Sequence, residues 1–228
     1  MKHTLNGIAL QLPSDDRHRL ESICAPVMLS AGQELISDTA QGQDANVYFL
    51  HEATVSLWIQ AEKERDAMAV ALVASEGMVG CSHLWSSNDA GWRARVFTPG
   101  LASVTSSGQL QAQLSQSPAL IMAISRFLWQ QTHEIAQLSA RMLLGDIRTR
   151  LALWLHLMQL KTGLEVLPVT HDALARMLGT RRVSITLLAG ELQSEGIITL
   201  RRGEIEINDP HGLARIAGLA GLTGLAGL

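Results

Sequence analysis

Two arginine pairs dominate the chemistry this chain could perform. Arg181-Arg182 and Arg201-Arg202 lie in separate segments of its second half. A guanidinium is a planar fork of donors that matches a phosphate or the O6/N7 edge of guanine. Arginine supplies nearly all the positive charge, 15 residues against 3 lysines, as phosphate recognition or a GC-rich coding bias would each produce. Reactive residue types are sparse in the first half. Gly80-Cys81 is followed by Arg93 and Arg95, which could meet an anionic ligand or be plain surface cations. Cys81 reads as a buried inert thiol, with a redox or haem-ligand role as the alternative.

Little supports catalysis. The eight histidines show no H-x-x-x-H or H-E-x-x-H spacing, and no phosphate-cradling glycine loop or G-x-S-x-G occurs. Asp15-Asp16 after Pro13 is a charged helix start rather than a catalytic pair. Cys24 and Cys81 are too far apart for a Cys-rich metal motif, and two cysteines make no disulfide framework. No catalytic residue, metal site or cofactor is assigned, and the chain is not expected to be an enzyme.

The elements that must position the arginines follow from period and punctuation. With 228 residues, 47% of them hydrophobic, the chain can bury a core in one large or two modest domains. No apolar run reaches the roughly 20 residues of a membrane span. Met1-Lys2-His3-Thr4 does not begin as a signal peptide would, so a cytoplasmic, reducing location is expected. Residues 1–117 hold 7 basic against 12 acidic side chains, and residues 118–228 hold 11 against 9. The positive half is the one fit to meet a polyanion.

Val55, Leu57 and Ile59 alternate with Ser56 and Trp58, and Met68, Val70 and Leu72 keep the same period of two. Short strands between glycines predict an antiparallel β-roll over residues 1–117. After Pro118, the residues Ile124, Leu128, Gln131, Ile135, Leu138 and Met142 follow the 4-3-4-3-4 seam of a coiled coil. A helix over 118–145 that pairs with a second copy is expected; Phe127, Trp129 and Leu143 widen its apolar surface, so a core helix packed on its own domain is the alternative. Asp146 caps a further helix to Leu160.

Residues 170–207 are the most specific stretch. Thr170 caps a helix that Gly179 ends, and Thr180 caps a second helix with Ile185, Leu188, Ala189 and Leu192 inward. Ile197–Leu200, Arg201-Arg202-Gly203 and Glu204–Ile207 then read as a hairpin. Two short helices around a glycine turn, followed by a hairpin, make a winged helix over 146–210. Arg181 and Arg182 would sit at the positive end of a helix dipole, which costs about 0.3–1 kcal/mol each when exposed. A DNA duplex compensates that cost. Thr170, Thr180, Arg181, Arg182, Val183, Ser184, Leu187, Arg201 and Arg202 are the expected DNA contacts, with Val183 and Leu187 suited to thymine methyls. The Gly/Leu/Ala-rich tail, residues 211–228, is assigned no function.

An acidic roll, a long helix, a joining helix and a winged helix, in that order, resemble the Crp-Fnr superfamily of transcription regulators. Leu174-Ala175, Leu178-Gly179, Arg182, Ser184, Leu192, Gly196-Ile197-Ile198 and Arg202-Gly203 carry the resemblance. It implies an α+β fold with a jelly-roll-like N-terminal sensor, a dimerisation helix and a C-terminal winged helix. It also implies a homodimer on double-stranded DNA at a pseudo-palindromic promoter site, acting with RNA polymerase. The sensor departs from the family's cyclic-nucleotide pattern. Cys81 stands where a ribose-binding glutamate belongs, Ala94 where a phosphate-binding hydroxyl belongs, and Ile135-Ala136 where hydroxyls meet adenine. The Fnr-type cysteine cluster is absent. Gly80, Cys81, Arg93 and Arg95 are therefore the expected contacts of an unidentified small-molecule effector, and cyclic AMP is not the expected activator. A sensing scaffold that binds no DNA is the alternative.

Overall fold

A computed structural model describes residues 6–36, 45–60, 67–85 and 91–219. Met1–Thr4 and positions 220–228 of the Gly/Leu/Ala-rich tail lie outside the described residues. The chain divides into two compact units, residues 1–59 with 71–135, and residues 60–70 with 136–228. The division falls inside the long helix.

Among the described residues the roll holds eight strands: β1 (Ala25–Leu29), β2 (Glu34–Ile36), β3 (Asn46–Leu50), β4 (Thr54–Gln60), β5 (Ala67–Val73), β6 (Met78–Val79), β7 (Trp92–Thr98) and β8 (Gly100–Ser106). They form two sheets, ordered β1-β8-β3-β6 and β2-β7-β4-β5. Alternation predicts β4 and β5, but burial does not follow a strict alternation in either. In β4, Ser56 is buried along with Val55 and Leu57, because its hydroxyl donates to the Arg95 carbonyl and accepts from the Trp58 indole. In β5 the buried residues are Ala69, Ala71, Leu72 and Val73, while Met68 is exposed. Both faces of that strand are apolar in sequence, so the period alone could not choose between them.

Among the described residues this unit also holds α1 (Gly7–Leu10), α2 (Ser14–Ser22), a 3-10 turn at Cys81–Leu84 and α3 (Ser107–Leu114). Asp15 and Asp16 occupy the first turn of α2. Hydrogen bonds from Ser117 and then Arg19 hold the Asp16 carboxyl below its usual range. Asn6 is fully buried. Its amide donates to the Leu50 and Gly77 carbonyls at 2.8 and 2.7 Å, and its oxygen caps α1. The two cysteines form no disulfide. Burial pushes the Cys24 thiol up to about 11, which leaves it protonated and unreactive at neutral pH.

The helix α4 runs Pro118–Leu144. Part of its expected seam is covered within the chain. Ile124, Leu138 and Met142 are buried, and Leu128, Gln131 and Ile135 line a cavity in the first unit. An apolar stripe requires cover but does not say whether the cover is a second copy. The exposed apolar residues include Ile121 and Leu144 and a series of four, Met122, Trp129, Ala136 and Leu143, each of the four seven positions from the next. That spacing keeps them on one side of a helix.

In the second unit Asp146 caps α5 (Ile147–Thr162), its carboxylate accepting from the Thr149 amide at 2.7 Å. That bond holds the Asp146 carboxyl below its usual range. The remaining elements are β9 (Val166–Leu167), α6 (His171–Met177), α7 (Arg182–Ser194), β10 (Ile198–Arg201), β11 (Glu204–Ile207) and α8 (Pro210–Ile216), with the sheet ordered β10-β11-β9. The segment expected to open the tail at 211 instead extends the core. Asp209 caps α8, which packs on α5, and Leu213, Ala217 and Leu219 are buried.

Candidate nucleic-acid interface

Thr170 is the N-cap of α6, its hydroxyl accepting from the Ala173 amide at 3.1 Å. Asp172 in the first turn pairs with Arg176 one turn on. Thr170→Ala should lower the unfolding free energy by about 1 kcal/mol, which urea titration would measure. Unchanged stability would show that the cap contributes nothing.

The turn after α6 needs its glycine. Gly179 sits at φ +58, where a side chain is strained. Its amide bonds to the Arg176 carbonyl, and the Thr180 amide to the Ala175 carbonyl at 2.9 Å, the reciprocal pair of a Schellman motif. That pair commits Thr180 to the turn. The N-cap of α7 is Arg181, not Thr180 as expected, and no side chain caps the helix. The Ser184 and Ile185 amides both bond to the Arg181 carbonyl, which leaves the Arg182 and Val183 N–H groups for water or a ligand.

Ile185, Ala189 and Leu192 are buried on one side of α7. Arg181, Arg182, Val183 and Leu187 are exposed on the other, with Val183 at 79% and Leu187 at 65%, and Ser184 is half-buried. The structure thus brings five of the expected contacts to one exposed helix start. Sequence reasoning missed His171, whose Nδ1 lies 3.0 Å from the Thr186 hydroxyl of α7. Thr186 donates its proton to the Arg182 carbonyl, so the imidazole is the donor in that contact. Burial, then the Arg182 charge, pushes the His171 pKa below its ordinary value. No sequence spacing marks that contact.

The wing places the second arginine pair differently. Arg201 on β10 is held by Glu206 of β11 at 2.6 Å. Its charge is therefore already partnered inside the hairpin, which tempers its expected role as a phosphate contact. Arg202 stands beyond it at the exposed tip. Among the described residues Arg181, Arg182 and Arg202 have no ion pair, whereas Arg148 is paired to Glu195, Arg176 to Asp172 and Arg215 to Asp209.

The other expected site lies wholly in the first unit. A cavity of about 280 Å³ opens between strands of the roll and the first half of α4. Gly80 and Cys81 line it. Gly80 holds φ +91 and a Cβ there would strike the Asn46 carbonyl, so the backbone before Cys81 tolerates no side chain. Arg93 and Arg95 do not line it. Trp92 reaches the cavity and Ala94 is fully buried, so strand alternation sends Arg93 and Arg95 to the opposite face. The Arg95 guanidinium instead donates to the Gly32 carbonyl at 3.0 Å. Their expected placement against an effector in this cavity is corrected accordingly.

Comparison with known proteins agrees with these geometries. Residues 149–216 match the family described as a Crp-like helix-turn-helix domain. The global nitrogen regulator of Nostoc sp. is 25% identical over 178 residues, covering 74% of this chain and 79% of that protein. The transcriptional regulator SdrP of Thermus thermophilus is 26% identical over 197 residues, covering 84% and 93%. Among solved structures, a CRP/FNR-family transcriptional regulator of Thermus thermophilus superposes with a TM-score of 0.72 at 25% identity, over 85% of this chain and 98% of that one. With an antiparallel roll, a helix-turn-helix and a wing in this order, the chain carries a Crp-like helix-turn-helix domain and is similar over most of its length to CRP/FNR-family transcription regulators.

Proposed function

We propose that the protein acts in the cytoplasm as a homodimer that reads a pseudo-palindromic site on double-stranded DNA. The first unit senses a small-molecule effector other than cyclic AMP, RNA polymerase is the partner at the promoter, and no reaction is catalysed. One observation carries the DNA reading: Arg181, Arg182 and Arg202 stay unpaired around an exposed, uncapped start of α7, while neighbouring arginines are neutralised. Three unpaired cations beside open backbone N–H groups are costly in isolation and favourable against phosphate. A scaffold that binds no DNA has no use for this arrangement.

Two recognition helices related by a two-fold axis demand half-sites about 34–36 Å apart. Fluorescence anisotropy on a selected operator and on random duplex, across salt, tests the reading. Arg182→Ala should cost about 1–3 kcal/mol on the operator and relax discrimination at one base position. Arg202→Ala should weaken operator and random duplex alike and flatten the salt slope. Equal loss on both duplexes for Arg182→Ala would reduce it to a phosphate contact. No salt-dependent binding by the wild type would return the scaffold reading.

A further inference from the structure

The chemistry of the roll cavity carries an inference that deepens the sensor reading and rests on it. We infer that the cavity takes an uncharged, largely apolar molecule about the size of two fused aromatic rings.

Its lining argues the charge. Leu57, Met78, Leu128 and Ile135 form its walls with Trp85 and Trp92, and among the described residues that line it there is no lysine, arginine, histidine, aspartate or glutamate. A carboxylate or phosphate moved there loses hydration and meets no counter-charge. The two arginines expected to supply one lie on the other face of β7. The polar residues among the lining, Gln131, Ser82 and Cys81, are neutral and could offer at most one or two hydrogen bonds.

Its size and rim argue the rings. About 150 Å³ holds one benzene molecule in an apolar protein cavity, so about 280 Å³ has room for roughly two rings. Trp85 lines the cavity yet remains 63% exposed. A flat aromatic ligand would cover that indole and stack on it.

Two probes of one shape separate charge from size. 2-Naphthol is neutral at pH 7, whereas 2-naphthoate carries a carboxylate on the same rings. Titration followed by indole emission and calorimetry should give one naphthol per protomer, with naphthoate bound at least about 30-fold more weakly. Ile135→Trp should fill the space and abolish naphthol binding while keeping the circular dichroism of the folded chain. If that variant does not fold, Leu128→Phe serves the same arm. Gln131→Leu should still bind unsubstituted naphthalene as the wild type does. Naphthoate binding as tightly as naphthol, no naphthol binding at 1 mM, or undiminished binding in a folded cavity-filled variant would each overturn the inference. Duplex binding is read separately. A chain that shifts duplex but takes no naphthol refutes only the ligand class, and one that takes naphthol but shifts no duplex refutes only the DNA reading.

Discussion

Met122→Glu combined with Trp129→Glu is expected to convert the dimer to a monomer and to weaken operator binding by about 10²–10⁴-fold. Met122 and Trp129 are 53% and 73% exposed on α4, seven residues apart, and Leu143 repeats the interval at 84%. A tryptophan ring presents roughly 150–250 Å² of apolar surface, and at about 25 cal/mol per Å² its burial against a second copy is a large gross gain. Two glutamates on each helix would place four carboxylates along one interface. Light scattering reads the mass, and anisotropy reads the affinity of a protein that can grip only one half-site at a time. The same change at Ile124 or Leu138 would remove core side chains and unfold the chain, so it could not report on association. A dimer mass that survives Met122→Glu with Trp129→Glu would remove α4 from the interface.

The contrast between the two faces of α4 marks how far the sequence could be read. Its length, its start at Pro118 and its apolar period were all legible. Which apolar positions face the chain's own core was not, because a heptad stripe looks the same whether its cover is a roll or another helix. The winged helix was legible almost residue by residue, since caps and glycine turns are local chemistry: Thr170, Asp146 and Gly179 each do what their type predicts. The one-residue error at Thr180 falls where the Schellman bonds after α6 use its amide. Long-range facts stayed hidden. Nothing near Asn6 announces that it ties residues 44 and 71 positions away. Likewise, the pairing of Arg201 depends on the hairpin register that sets it beside Glu206. In the roll, the motif positions Gly80 and Cys81 were found by resemblance. Trp85, Trp92 and Gln131, which shape the cavity with them, belong to no motif and were missed.

Cyclic AMP and cyclic GMP are both expected to give no calorimetric heat at concentrations where a cognate activator would saturate. The resemblance implies what a cyclic nucleotide requires: a carboxylate for the ribose hydroxyl, and an arginine with a hydroxyl for the ring phosphate. Cys81 occupies the carboxylate position and lines the cavity with a thiol, which accepts hydrogen bonds poorly. Ala94 occupies the hydroxyl position and is fully buried, so no water can stand in for the missing group. Each lost hydrogen bond to a charged group costs about 1.5–3 kcal/mol, and two such losses lower affinity by roughly two to four orders of magnitude. The anionic phosphate would also enter a space without a lining cation, which acts in the same direction. Arg93 and Arg95 cannot compensate from the outer face of β7 unless that strand reverses its register, and its pairing with β4 from Val55↔Val96 to Ile59↔Trp92 fixes that register. Micromolar binding of either nucleotide, together with a rise in operator affinity, would show that a different set of groups holds the phosphate and would overturn both this expectation and the neutral-ligand assignment of the cavity.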